Sequence, residues 1–223
     1  MKKVMVVSLM LLSTIAVAKD KSASDTAKQV NANLATREKS LSNRFKPTQD
    51  VFYIYKDRGD KDNNYIAAGW MGDYGDLKFN PGIPVEGGKQ NTCIQVKVSM
   101  ERKQGAGWNG IYWQHPANNW GDRKGGYDLS SYKKLTFMAR GEKGGEFIDK
   151  FGIGGITGQT EEGDSDNASI ENVELTKEWK TYSVDLKGLD LTHVIGGFLF
   201  AVNDDTNNNT PMAFYLDEIK LEK

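Results

Sequence analysis

The sequence has one cysteine, two histidines and five prolines among 223 residues, and each scarcity excludes something. A lone Cys93 cannot close an intramolecular disulfide, and its setting, Thr92-Cys93-Ile94-Gln95-Val96, reads as a strand that buries the thiol as a small hydrophobe. His115 and His193 are too far apart in sequence and context to suggest a zinc site. There is no GxSxG elbow, and Cys93 has no evident partner of the kind a nucleophile needs. Gly152-Ile153-Gly154-Gly155 is not followed by the Lys-Ser or Lys-Thr helix start of a phosphate loop, and reads as a strand ending in a tight turn. Excess charge is also absent. A formal net charge of -1 gives no reason to expect nucleic acid or an anionic membrane surface as a partner.

What is present begins with an export signal. Lys2 and Lys3 precede the apolar run Val4 to Val17, and Ala16-Val17-Ala18 is the small-x-small pattern accepted by a signal peptidase before Lys19. The run is shorter than the ~20 residues of a membrane span, and no second such run follows. Residues 1–18 therefore read as a cleavable signal peptide, with a secreted or periplasmic product and no membrane span in its mature form. From Lys19 to Arg44 the chain is polar and free of Gly and Pro, with Ala27, Val30, Leu34, Leu41 and Phe45 at roughly helical spacings. Residues 19–46 read as a short helical leader or linker ended by Pro47, either a solvated spacer or a docking element.

From residue 47 to 223 short apolar or alternating runs are separated by Gly, Asn, Asp and Pro, the pattern of an all-β domain. Strands are expected near Phe52 to Lys56, Cys93 to Met100, Asn109 to Gln114, Lys134 to Arg140, Phe147 to Ile153, Lys180 to Leu186, Ile195 to Val202 and Ala213 to Leu221. Eight strands with irregular connections fit a two-sheet antiparallel β-sandwich, a jelly roll. Tyr65 to Pro84 reads as a long ordered loop or a pair of short strands, and Gly158 to Asn167 and Asn203 to Asn209 as loops.

The stretch Gly105 to Tyr127 carries the most chemistry. Side chains alternate along a strand, so Trp108, Gly110, Tyr112 and Gln114 share one face while Asn109, Ile111 and Trp113 share the other. Ile111 and Trp113 are the expected core pair, which puts Tyr112 and Gln114 on an outer face. Beyond them His115, Asn118, Asn119 and Trp120 crowd a loop. Aromatic rings that stack on the C–H face of a pyranose, with amides to meet its hydroxyls, are what sugar recognition needs. Arg140, on a face with Thr136 and Met138, adds a forked donor. Trp108, Tyr112, Gln114, His115, Asn119, Trp120 and Arg140 are the candidate ligand contacts.

Three further stretches carry a resemblance: Tyr127 to Gly141 leading into Glu146-Phe147, then Leu175 to Leu186 around Trp179, then Phe214-Tyr215-Leu216-Asp217-Glu218-Ile219. In this order they resemble the galactose-binding-like jelly rolls of carbohydrate-binding modules, especially the family 11 type and its relatives. The resemblance implies non-catalytic binding of a β-glucan or similar polysaccharide or oligosaccharide across a concave face, and a structural calcium ion. In similar sandwiches that ion sits near the first and last strands, which points to Asp57 and Asp217 as metal ligands. Asp57, Asp60 and Asp62 lack the Gly and distal Glu of an EF-hand loop.

Two other readings stand beside this one. The sandwich is an envelope structural or assembly protein that holds a protein partner, or it is a glycoside hydrolase. Hydrolysis needs two carboxylates facing each other across a cleft. Asp73, Asp76, Asp122, Glu146 and Asp149 are available, but the sequence pairs none of them. An enzyme is not the expectation; the partner of a binding module is a polysaccharide, with a glycoside hydrolase acting in trans or an envelope protein as a further partner.

Overall fold

The longest strand of the domain organises the rest. In the computed structural model β11, Met212–Glu222, pairs antiparallel with three strands at once. β4 (Thr92–Val98) runs along Met212 to Leu216, β1 (Val51–Tyr55) takes over along Ile219 to Glu222, and β6 (Lys134–Gly141) flanks the other side. β3 (Leu77–Pro84) and β9 (Lys180–Asp185) complete a sheet ordered β3-β4-β11-β6-β9, with β1 attached to β11. The second sheet is ordered β2-β5-β10-β7-β8, from Ile66–Gly72, Trp108–Gln114, Gly196–Asn203, Phe147–Gly154 and Asn167–Glu174. The structure describes Lys28 and residues 45–85, 91–156 and 162–223. The signal peptide of residues 1–18 and the leader of residues 19–46 lie outside them, apart from Lys28, which is helical, Phe45 and Lys46. Arg44–Lys223 is one compact unit. No helix among the described residues is long and apolar enough to cross a membrane.

The expected two-sheet antiparallel sandwich is present, with eleven strands among the described residues instead of eight. Tyr65 to Pro84 is a pair of strands, β2 and β3, joined through a turn at Tyr74–Asp76. The eleventh, β8, begins at Asn167 in a stretch, NASIENVE, whose side chains are mostly exposed or half-buried. It is an edge strand with a polar outer face, so it lacks the apolar run that marks a strand in sequence.

The core is aromatic and spans both sheets. Ile111 and Trp113 are buried at 0 and 2% exposure, as their alternation requires. Phe137 of β6 meets Phe151 of β7 and Phe198 of β10 at 4.8 and 5.1 Å between ring centroids, and Phe200 meets Phe214 of β11 at 5.1 Å. These edge-on and tilted contacts between sheets bury large apolar area with defined geometry. Cys93 is buried in β4, and burial raises its thiol pKa to about 11, so it is an inert part of the packing.

Candidate functional site

The outer face of the second sheet is built around β5. Register fixes its rows: Trp108 lies opposite Asn203; Met71, Gly110, Ala201, Lys150 and Glu171 form the next row; Gly69, Tyr112, Leu199, Gly152 and Ser169 the one after. The middle of this face sets Gly110, Ala201 and Gly152 among Met71, Leu199 and Lys150, and Met71 Cε and the Trp108 ring lie over Gly110, 3.0 and 3.4 Å from where a Cβ would stand. An aromatic group stands at either end of β5, with Trp108 37% exposed and Trp120 41% exposed. Trp108 and Tyr112 are four steps apart along the strand, about 13 Å.

Tyr112 has the predicted orientation but is only 2% exposed, because Trp120 covers it. The two rings stack at 6.2 Å with 14° between their planes. Beneath, the Tyr112 ring lies on Gly196, where an added Cβ would come within 2.0 Å of its Cζ and Oη. Tyr112 Oη donates to Asp164 Oδ2 at 2.8 Å. Asp164 also accepts the N–H groups of Ile156, Ile195 and Gly196. Burial, then the Asp164 charge, holds the Tyr112 hydroxyl protonated far above its usual range. Burial also raises the Asp164 carboxyl, against the pull of those donors. Trp120 is thus the exposed upper ring of a braced pair.

The polar residues near Trp120 are mostly engaged within the protein. Gln114 is fully buried and donates to Asn119 O at 2.8 Å. Asn119 is equally buried, donates to the carbonyls of His115 and Arg123, and accepts from Gly121 N–H. His115 Nδ1 accepts Gly126 N–H at 3.1 Å, its ring lies 4.5 Å from that of Tyr127, and burial lowers its pKa. These three side chains shape the loop that carries Trp120. The amide wealth read from the sequence belongs to this bracing.

Arg140 is elsewhere. It lies on β6, on the outer face of the first sheet, with its guanidinium 3.9 Å from the Tyr215 ring and 5.3 Å from that of Trp179. The structure therefore brings Trp108, Tyr112 and Trp120 onto one face and puts Arg140 on the opposite sheet. Sequence reasoning missed the paving residues Met71, Ala201 and Lys150, and Asp164 beneath Tyr112. Only cross-strand register reveals the first group, and Asp164 sits in a stretch that reads as a polar loop. Trp70 is 38% exposed, but it pairs with Ile111 and sets its edge against Phe79, at the border of the sheet and not on this face.

Asp57 and Asp217, the expected metal ligands, are close enough for the Asp57 charge to act on Asp217. Asp57 Oδ1 accepts the N–H and hydroxyl of Thr92 at 2.7 and 3.3 Å, and Asp217 Oδ1 accepts Glu218 N–H. Among the described residues no hydrogen bond reaches the second oxygen of either, which fits a shared cation. Asp217 is 6% exposed, and burial first, then Glu218 and Asp57, raises its pKa to about 7.

The family model for carbohydrate binding domain 30 matches residues 53–223. Among solved structures, a family 30 carbohydrate-binding module is 15% identical, with 78% of this chain and 98% of that chain covered and a TM-score of 0.51, a likeness of fold. The family 30 module of a cellulosomal cellulase from Clostridium thermocellum is 18% identical over 78% of this chain and 97% of that one, with a TM-score of 0.49. No curated protein matches the chain.

Proposed function

The chain belongs to the carbohydrate binding domain 30 family, a family of non-catalytic modules, and on that premise we propose that it binds a β-glucan or similar polysaccharide across the outer face of the β2-β5-β10-β7-β8 sheet. The observation that carries this reading is the pair of exposed rings, Trp108 and Trp120, at the two ends of a floor made of Gly110, Ala201 and Gly152. A flat sugar ring stacks on each indole, and the chain between them crosses the row of Met71, Ala201 and Lys150. Tyr112 supports Trp120 from below, and Gln114, His115 and Asn119 hold its loop. Polar partners come from Lys150 and Glu171, an ion pair at 3.1 Å on the same row, and from the Asn203 amide beside Trp108.

The same proposal places the protein outside the cytoplasm, supported by the signal-peptide pattern of residues 1–18, where it acts beside a glycoside hydrolase supplied in trans or an envelope protein. It includes a structural calcium ion bridging Asp57 and Asp217, supported by the spare oxygen of each. Affinity electrophoresis of the mature protein against soluble β-glucans, xylans and mannans tests the reading. Retardation on at least one glycan, lost in Trp120→Ala, is expected. No retardation on any of them would sink it.

A further inference from the structure

Where the chain enters β5, three carboxylates are buried together. Asp73, Asp76 and Asp204 are 0, 3 and 0% exposed, and one oxygen of each lies within 4.8 Å of the others. Each carboxylate oxygen offers about two lone-pair positions, so the vacant positions can be counted. Asp73 Oδ1 accepts the N–H groups of Gln104 and Ala106 and Oδ2 that of Gly107, and the Gly105 N–H also acts on this carboxylate. Asp76 Oδ2 is filled by Glu101 and Arg102 N–H; its Oδ1 accepts the Ser99 hydroxyl and has the Lys103 ammonium at 3.4 Å. Asp204 Oδ1 accepts the Asn109 amide at 2.9 Å, and Oδ2 accepts no hydrogen bond.

The local cations only partly answer this charge. Arg102 Nε is 3.4 Å from Asp204 Oδ2, yet its Nη2 is committed to Asp205 at 2.6 Å and to Asn209 at 2.8 Å. Lys103 has a closer partner in Glu101, at 3.0 Å. An independent observation points the same way. Asn109 is wholly buried, its amide is held against the cluster by its bond to Asp204, and its Oδ1 has no hydrogen-bond partner. Amide oxygen and nitrogen are interchangeable by a half-turn of the group. That turn aims an acceptor at Asp204 Oδ1, which is unfavourable unless a cation lies between them.

We propose that Asp73, Asp76, Asp204 and Asn109 form a binding site for a divalent cation of the calcium type. An all-oxygen donor set of carboxylates and an amide suits a hard ion, and several carboxylates with a neutral amide oxygen are the donor types of a calcium site. Lys103 swings fully onto exposed Glu101 when the ion enters. The site is distinct from the Asp57 and Asp217 pair. It lies under the glycan face: Asp73 N–H donates to Trp108 O at 2.7 Å, and Asp204 N–H to Gly107 O at 3.0 Å. The ion would fix the backbone that carries Trp108.

The test needs no glycan, so it stands or falls apart from the binding reading. The full mature protein is stripped with EDTA, desalted and titrated with terbium, a calcium substitute excited through nearby tryptophan. Sensitised emission that calcium displaces is expected, reduced at least tenfold in Asp204→Asn and kept in Asp217→Asn. Should Asp204→Asn fail to fold, the wild-type melting temperature decides: millimolar calcium should raise it by several degrees over EDTA in both wild type and Asp217→Asn. Absence of both emission and shift in the wild type overturns the proposal. Signal lost in Asp217→Asn but kept in Asp204→Asn also overturns it.

Discussion

Gly196→Ala should damage the platform from beneath without touching any exposed residue. A Cβ at position 196 would lie 2.0 Å from Tyr112 Cζ and Oη and 2.3 Å from Cε1, where ordinary contact needs more than 3.4 Å. The ring must therefore lift by more than 1 Å, carrying its hydroxyl off Asp164, with which it forms a buried 2.8 Å bond. Overpacking of this kind costs about 1–3 kcal/mol, and a buried carboxylate deprived of a donor about 1–3 kcal/mol more. The expected loss is about 2–6 kcal/mol in urea unfolding, with a shift in tryptophan emission as Trp120 loses its stacking partner. If Gly196→Ala unfolds within 0.5 kcal/mol of the wild type (~ the scatter of neutral surface changes) with unaltered emission, the layered account of Gly196, Tyr112 and Trp120 is wrong.

Three other perturbations have defined outcomes. Asp217 has its pKa raised to about 7 from 3.8, so the native state holds that proton more tightly than the unfolded chain; the burial penalty is absent below about pH 4 and complete above about pH 7. In calcium-free buffer Asp217→Asn should then stabilise the protein by about 2–4 kcal/mol at pH 8 and hardly at all at pH 4, and equal gains at both pH values in urea titrations would contradict this. Asn119→Ala removes bonds to His115 O, Arg123 O and Gly121 N–H, so glycan affinity should fall several-fold through the Trp120 loop although Asn119 is fully buried; an unchanged dissociation constant would show that the loop does not depend on it. Phe198→Ala opens the core between the sheets, where Phe198 meets Trp113, Phe137 and Phe151, and should cost about 3–5 kcal/mol in chemical denaturation.

The sandwich was legible because its central strands alternate strongly. Trp108 to Gln114 and Lys134 to Arg140 display both faces in sequence, and the structure buries the faces expected, as Ile111 and Trp113 illustrate. Edge strands were less legible. β8 buries little, and β2 and β3 are interrupted by Gly and Pro, so neither produces a clean period of two. The site was half legible. Alternation put Trp108 and Tyr112 on one face, but nothing local reveals that Trp120 folds back over Tyr112, or that the Gln114 amide holds Asn119 O while the Asn119 amide braces its own loop. Arg140 shows the limit most clearly. Its strand face was readable, but which of two sheets that strand joins is decided by pairing with β11, a partner about 75 residues away that alternation does not identify. The buried cluster of Asp73, Asp76 and Asp204 is another such case, since its members are brought together from two distant loops.

The central claim is that the glycan lies on the Trp108 and Trp120 face and not on the opposite sheet. Calorimetric titration of the mature protein with the best glycan from the electrophoresis panel tests it, using Trp108→Ala, Trp120→Ala and, from the other sheet, Trp179→Ala. Losing an exposed stacking ring costs about 1–2 kcal/mol, so each of the first two variants should bind roughly 5- to 30-fold more weakly while Trp179→Ala binds like the wild type. Wild-type affinity in both Trp108→Ala and Trp120→Ala, with the loss falling on Trp179→Ala, would contradict the account and move the site to the other face.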